Sequence, residues 1–487
     1  MPERGRGRAA GGAKSVGAAH EEPLRAEGVG LGAVSMDNGG RGPNVPDRDE
    51  LVATWSLAAL GVLLLAGVTA TRWLPQRLEA HPEQYVPFFL ALFALFLMAV
   101  WLVQRRAPNS GAVLGLILGF GVAMRISALL QPASLSTDIY RYLWDAHVAS
   151  HGVNPYAYAP AARQTIPYRT TYWSIMNHKD MRTMYPPLSQ AFFLGVRAVG
   201  GERVSAFKTA FVLVDLVTLA TILMLLSRAG LPLARCVVYA WHPLVVMEIA
   251  GSGHQDALGI MLMAAALLVA GFETTAGQSA WAGVLVGLSA MSKGYVLPAV
   301  PIFARKRPAL FAATAALAAL PFIALYWGDG AVLVGLSQYM QNRLRNAGPF
   351  AWLDGLLAHV AADHLAATRL LCAGLLLLVV ARMAIRPASG AKELAARCTA
   401  AIGTFFLLSH TVYPWYATWL VPGLCLSPSL GWLAFTGLVS LAYLNPVPHI
   451  NPWVPNVEYG CVLALLAWEG LKRWGGWRGG KLRVGAG

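Results

Sequence analysis

The sequence predicts an all-α polytopic membrane protein, and three observations carry that reading. Of its 487 residues 56% are hydrophobic and only 13% charged, whereas soluble domains carry roughly a quarter charged residues. Mean hydropathy is +0.52. Apolar runs recur along the chain near the length of about 20 residues that a spanning helix needs, enough for roughly 11 to 14 crossings.

Residues 1–50 are rich in Gly, Ala, Arg and Pro and hold no apolar run. They predict a disordered cytoplasmic tail rather than a signal peptide, since no apolar segment begins before Leu51. Two additional transmembrane helices (51–70 and 86–103) fill 51–110. The main membrane domain follows over 111–471. Its spans are expected at 111–130, 204–227, 236–250, 256–272, 280–303, 308–327, 366–385, 398–413, 414–427, 429–445 and 457–471. Residues 472–487 read as a basic cytoplasmic tail.

Charge orients these elements. The formal net charge is +14, and the first fifty residues hold more acidic than basic groups, so the excess belongs to the membrane part. Arg105-Arg106, Arg305-Lys306-Arg307, the stretch Arg386 to Arg397 and the C-terminal run read as cytoplasmic. The loops 131–185, 328–365 and 445–456, with His410–Pro414, then face outward. One segment leaves two readings. Tyr185–Val199 is short for a span; if re-entrant, it puts Arg228 inside and Gly253–Asp256 outside, and if it spans, those assignments invert. Arg197, Arg203 and Lys208 favour spanning.

Other classes find little support. No basic stretch is interleaved with aromatics, so no nucleic-acid partner is expected. Cys236, Cys372, Cys398, Cys425 and Cys461 lie in or beside apolar runs without CxxC spacing, and read as small buried hydrophobes rather than a zinc or disulfide frame. No internal repeat is evident, which weakens an inverted-repeat transporter.

The polar residues inside this apolar chain are the candidates for chemistry. In the outer loop, Ser136 or Thr137 is a good N-cap and 138–150 reads as an amphipathic helix. Ile139, Leu143 and Ala146 are expected on the bilayer, with Trp144 and Tyr140 at headgroup level. Asp138, Arg141 or Tyr142, and Asp145 would then face water. Asp138 in the first turn is either a general base or a capping aspartate paired with Arg141 or Arg125. Asn177-His178 precedes the turn Tyr185-Pro186-Pro187. Gly253-His254-Gln255-Asp256 interrupts two apolar helices, so His254 and Asp256 either meet a ligand or close a helix end. Lys293 is embedded in VLVGLSAMSKGYVLPAVPIF without a carboxylate within four residues, which points to an anionic ligand. His410, Trp415 and Tyr416 form another outer cluster, and Arg343, Arg345 and Asn346 are further candidates.

Taken together, TDIYRYLWDAHVASHGVNPY, NHKDMRTMYPPLSQ, WHPLVVMEIAGSGHQDAL, KGYVLPAVP and HTVYPWYATWLVP resemble the class C (GT-C) membrane glycosyltransferases that use polyprenyl-phosphate sugars. Within that class the chain is similar to glycosyltransferase family 87 and the alpha-1,6-mannosyltransferases. The resemblance runs over about 111–470. It implies a GT-C-type helical bundle whose long outer first loop carries amphipathic helices and the catalytic base, matched here by Asp138. It further implies a hexosyltransferase of the cell envelope in the cytoplasmic membrane, active on the extracytoplasmic face. Such an enzyme passes mannose from a polyprenyl-phosphate donor to a glycan, glycolipid or protein acceptor, with inversion. Arg141, Tyr142, His178, Tyr185, His254, Asp256, Lys293, His410, Trp415 and Tyr416 are the expected donor- and acceptor-binding residues. The loop holds no Asp-x-Asp pair, so no metal and no cofactor beyond the lipid-linked sugar is expected. The alternative is a transporter or flippase of a lipid-linked anion.

Overall fold

The computed structural model describes residues 48–74, 78–106, 110–327, 331–341, 344–445 and 453–483. The tail expected over 1–50 lies outside the described residues up to position 47, as do Arg343 and most of the loop 445–456. Among the described residues regular structure is helical, apart from an isolated β-bridge between Arg345 and Thr411.

Helices α1 (Arg48–Ala70), α2 (Pro82–Arg105) and α3 (Gly111–Leu129) open the bundle. Ser110 caps α3 by accepting from the Val113 N–H at 3.3 Å, satisfying one orphan donor of the first turn. Helix α4 (Asp138–Ser150) has the bounds the sequence predicts. Its surroundings are different. Ile139, Leu143 and Ala146, expected on the bilayer, lie in the protein core, and Arg141, Tyr142, Trp144 and Asp145 are buried as well. Helices α5 (Pro187–Gly200) and α6 (Val204–Arg228) pack on α4. Met176, from the loop that follows, closes over Trp144 and Val148. The period of α4 was legible, but its neighbours on every side were not.

The position of α5 decides between the two readings of 185–199. Near the start of α6, Lys208 donates to the Ala128 carbonyl at 3.1 Å and to that of Gln131. Helix α3 therefore ends where α6 begins. Helix α5 lies between them without crossing, and its last turn is tied back to the α4 segment through Glu202. The re-entrant reading holds.

Helices α7 (Val237–Ala240) and α8 (Pro243–Val245), the latter running into a π-turn over Val246–Gly251, form an apolar pair bent by 52°. Next come α9 (Asp256–Ala270), α10 (Ala276–Ser292), a 3-10 turn over Gly294–Ala299 and α11 (Val300–Phe303). The run 280–303 reads as one crossing in the sequence but is a hairpin. Helix α10 ends at Lys293, and the chain then returns until Lys306 Nζ donates to the Glu273 carbonyl at 2.9 Å, beside the start of α10. Pro298 and Pro301 lack the N–H groups a continuous helix would need.

Helix α12 (Pro308–Tyr326) packs on α10 across Gly283 and Gly287, where an added Cβ would stand 2.5 Å from a backbone carbonyl oxygen of Phe311 and of Ala315 respectively. Small residues four apart allow that approach. The bundle is completed by α13 (Val334–Gln341), α14 (Gly348–Leu357), α15 (His364–Ala384), α16 (Ala391–Leu407), α17 (Val421–Leu426), α18 (Leu430–Leu438) and α19 (Trp453–Arg483). The basic tail expected from 472 continues this last helix to Arg483. Six described helices are long and apolar enough to span alone, or seven with the bent pair. The remaining apolar runs, of the roughly 11 to 14 expected, are broken by proline and polar residues into shorter helices such as α9. The chain is a multi-pass membrane protein.

The two ends of the bundle differ chemically. At one end Arg228 lies 4.7 Å over the Phe272 ring, Arg305 donates to the Ile385 carbonyl at 3.1 Å, and Arg397 donates to that of Arg386 at 2.6 Å. Helix α9 leads from there to Asp256, about 22 Å away at 1.5 Å per residue. Around Asp256 gather the polar and aromatic residues named from the sequence.

Candidate active site

A cavity of about 1220 Å³ opens at the Asp256 end. Its polar wall carries Asp138, Asn177, His178 and Tyr185; across the same space stand Lys293, Arg345, His410, Trp415 and Tyr416. Much of the remaining lining is apolar, with Ile323 from α12 and Leu376, Leu377 and Val380 from α15. Only 11% of the apolar window of α12 and 17% of that of α15 is buried, so these two walls turn most of their surface outward.

Asp138 is held at this wall by its place at the start of α4. Ser136 Oγ accepts from its N–H at 3.2 Å, while Thr137, the N-cap by position, makes no side-chain cap bond. The partners that would make Asp138 a structural ion pair are taken. Arg125 binds Asp215, and Arg141 binds Asp145 at 2.9 Å. Asp138 Oδ1 accepts from Asn177 Nδ2 at 2.5 Å, Oδ2 lies 3.9 Å from His254 Nδ1, and the side chain is 15% exposed. Gly253 permits the contact with His254. Its φ is +76°, and a Cβ there would stand 2.6 Å from Ile139 Cδ1 on α4, so glycine is the residue that fits.

Lys293 caps the end of α10 in an extended conformation and donates to Asp256 Oδ2 at 2.7 Å. Trp419 Nε1 donates to the other Asp256 oxygen at 2.8 Å. The ammonium also lies 4.9 Å over the Tyr295 ring and 5.0 Å over that of Tyr416. The partner absent from its sequence neighbourhood thus arrives from α9. An ammonium has three protons to donate, and Nζ at the cavity wall keeps capacity beyond Asp256. Arg345 is fixed by its backbone, whose N–H donates to the His410 carbonyl at 3.0 Å and whose carbonyl accepts from the Val412 N–H at 2.9 Å. Its guanidinium lies 4.7 Å over the Tyr413 ring. Next to it Asn346 adopts φ +51° and donates to both Glu458 oxygens at 3.1 and 3.0 Å.

The structure divides the residues expected at the site. Asp138, His178, Tyr185, Lys293, His410, Trp415 and Tyr416 reach the cavity. Arg141, Tyr142, His254 and Asp256 stand behind it. Arg141, 1% exposed, donates to the His178 carbonyl at 2.9 Å, and so props the loop that carries Asn177. Tyr142 packs edge-on against Tyr185 at 4.9 Å. The loop is braced from outside by Glu202, which accepts from Tyr172 at 2.5 Å and contacts His147 at 2.8 Å and Arg197 at 3.1 Å. Partial burial pushes the Glu202 carboxyl up, but these hydrogen bonds and the charge of His147 outweigh it and hold the group below its ordinary value,. Two participants were passed over in the sequence. Arg369 lines the cavity from α15, exposed and without an ion pair among the described residues, and Glu248 lies buried in the π-turn. An ionisable residue inside an apolar run is the signal that marks both. Among the described residues no group of three or more His, Cys, Asp or Glu side chains is arranged to hold a metal ion.

Residues 51–306, more than half of the chain, match the family profile described as Alpha-(1->6)-mannopyranosyltransferase, N-terminal domain. The chain belongs to this family. It is a membrane glycosyltransferase of the hexosyl-transferring kind, and the transporter alternative is set aside. The matched segment contains Asp138, His254, Asp256 and Lys293, whereas Arg345, Arg369 and the 410–416 cluster lie beyond it. No curated protein matches the chain. Among solved structures it is similar to ArnT from Cupriavidus metallidurans bound to undecaprenyl phosphate, at 14% identity and a TM-score of 0.42, covering 72% of this chain and 69% of that one.

Proposed function

We propose that the enzyme transfers mannose from a polyprenyl-phosphate donor to a hydroxyl of a glycan, glycolipid or protein, on the outer face of the cytoplasmic membrane and with inversion. One observation carries the reading. A carboxylate with unused lone pairs (Asp138) shares a cavity with cations (Lys293, Arg345), and that cavity continues into apolar walls from two outward-turned helices. The polyprenyl chain lies along α12 and α15. The phosphodiester meets Lys293 and Arg345, which stabilise the dianion released as the anomeric C–O bond breaks. Asp138 takes the proton of the acceptor hydroxyl as its oxygen attacks the anomeric carbon from the opposite face. A β-linked donor thereby yields an α-linked product, and the scheme calls on no metal. Orientation follows from the basic end around Arg228, Arg305 and Arg397, which the positive-inside effect keeps cytoplasmic.

The test is transfer from radiolabelled polyprenyl-phosphate mannose to a panel of acceptors by the purified chain. The wild type is expected to form an α-linked product, read by NMR. Asp138→Asn is expected to retain donor binding and lose transfer. Full transfer by that variant, or a requirement for a nucleotide sugar in place of the lipid, overturns the proposal.

A further inference from the structure

Behind Asp138 a histidine stands between two carboxylates. His254 Nδ1 is 3.9 Å from Asp138 Oδ2, its Nε2 is 3.3 Å from Glu248 Oε2, and its side chain is 1% exposed. The ring stacks on Trp415 at 4.0 Å with planes 18° apart. Glu248 is fully buried, and its Oε1 accepts from the Tyr443 hydroxyl at 2.7 Å. Among the described residues neither nitrogen of His254, nor Glu248 Oε2, has a hydrogen-bond partner. The π-turn creates this juxtaposition: the His254 N–H reaches back to the Glu248 carbonyl at 3.0 Å, six residues earlier. Single π-turns inside helices recur at functional sites.

A buried carboxylate is costly unless its surroundings compensate it. The polar contacts of the Glu248 carboxylate are with Tyr443 at 2.7 Å and His254 at 3.3 Å, and a neutral residue of its shape could keep the first. What it fixes is the imidazole. We infer that Glu248 and His254 form the positioning pair of Asp138. This rests on the reading of Asp138 as the base. Glu248 and Trp415 lock the ring, and the ring presents its other nitrogen to Asp138 Oδ2 while Asn177 holds Oδ1. The carboxylate is thus held by Asn177 on one side and faced by the imidazole at 3.9 Å on the other, with the cavity open beside it. Such contacts tighten when substrate fills the cavity. Neither Glu248 nor His254 lines the cavity, and a base displaced by 1 Å loses about 100-fold in rate.

Glu248→Gln is the sharpest test, because the amide keeps the shape and can still accept from Tyr443 while the charge facing His254 is gone. In the full-length enzyme kcat is expected to fall about 10- to 100-fold. The donor KM and the binding of polyprenyl phosphate should stay within about twofold, the signature of an interaction made in the transition state. Tyr443→Phe should show the same pattern at a smaller size. An unchanged kcat in Glu248→Gln overturns the pairing, and so does a loss of donor binding and thermal stability in step with kcat. If Glu248→Gln is not recovered folded, Tyr443→Phe decides, and an unchanged kcat there is equally fatal. Asp138→Asn separates the two levels. If it transfers at full rate, the base assignment falls and the pairing with it. If it is inactive while Glu248→Gln and Tyr443→Phe run at full rate, only the pairing falls.

Discussion

Asp138 and Asp145 lie two turns apart on α4, and their surroundings differ in kind. Asp145 is 1% exposed and accepts from Arg141 at 2.9 Å, Thr183 at 2.5 Å and Gln190 at 2.9 Å. Asp138 accepts from Asn177 at 2.5 Å, has a histidine at 3.9 Å, and lines the cavity. A buried carboxylate whose oxygens are all matched is part of the scaffold, since further binding would need those bonds broken. One left partly unmatched beside a large cavity keeps the capacity to take a proton.

The largest expected effect breaks this comparison if it is wrong. Asp138→Asn should lower kcat by about 10³-fold, within the usual contribution of a general base, with donor binding and thermal stability preserved. Asp145→Asn should do the reverse. It leaves Arg141 buried without its counter-charge, which costs about 3–5 kcal/mol. The readouts are Tm in detergent and the yield of monodisperse protein. If Asp145→Asn folds normally and loses catalysis, the roles of the two aspartates are exchanged.

The same pair shows how far the sequence could be read. Helix α4 and its bounds followed from a turn of polar residues and a 3.6-residue period, and the motif resemblance singled out Asp138, which the fold brings to the cavity wall. The sequence offered no way to tell that Arg141 would be consumed by Asp145, because a pairing four residues apart competes with every partner the tertiary fold brings near. Lys293 teaches the converse. Its partner Asp256 is 37 residues away and arrives through the α9–α10 hairpin, beyond the reach of local spacing. Glu248 and Arg369 carried a local signal, a charge within an apolar run, yet their bearing on the site depends on a π-turn and on which side of α15 faces the cavity.

The next prediction sharpens the contrast between matched and unmatched charge across the cavity. Lys293→Gln removes both the Asp256 pair and the proposed phosphate contact, so fold and affinity must be separated. Lys293→Gln combined with Asp256→Asn removes the uncompensated buried carboxylate. The double variant should regain most of the Tm lost by the single one, and its donor KM should stay raised by about 10- to 100-fold, the equivalent of a charged hydrogen bond of about 1.5–3 kcal/mol. A donor KM restored along with stability would assign Lys293 to the scaffold. Arg369 is exposed at the cavity wall and has no ion pair among the described residues, and solvent screens it. Arg369→Gln should therefore raise the donor KM by only about two- to fivefold, and the difference should shrink as salt is added.

The smallest effect concerns the brace that keeps the Asp138 loop in place. Glu202 is held below the ordinary carboxylate value of 4.5 by Tyr172, His147 and Arg197, against the opposing push of burial. A carboxyl depressed in the folded state contributes stability that is fully present above its unfolded value and is lost as pH falls through the folded one. Glu202→Gln should therefore lower Tm by a few degrees at pH 7 relative to wild type, and the gap should close as both proteins are acidified through the depressed folded-state value of Glu202,. Because Glu202 touches the loop from outside and not the cavity, the donor KM at neutral pH should be unchanged. A Tm gap that persists undiminished in acid would mean that the ionised carboxylate is not what the brace relies on, and that shape alone holds the loop over Asp138.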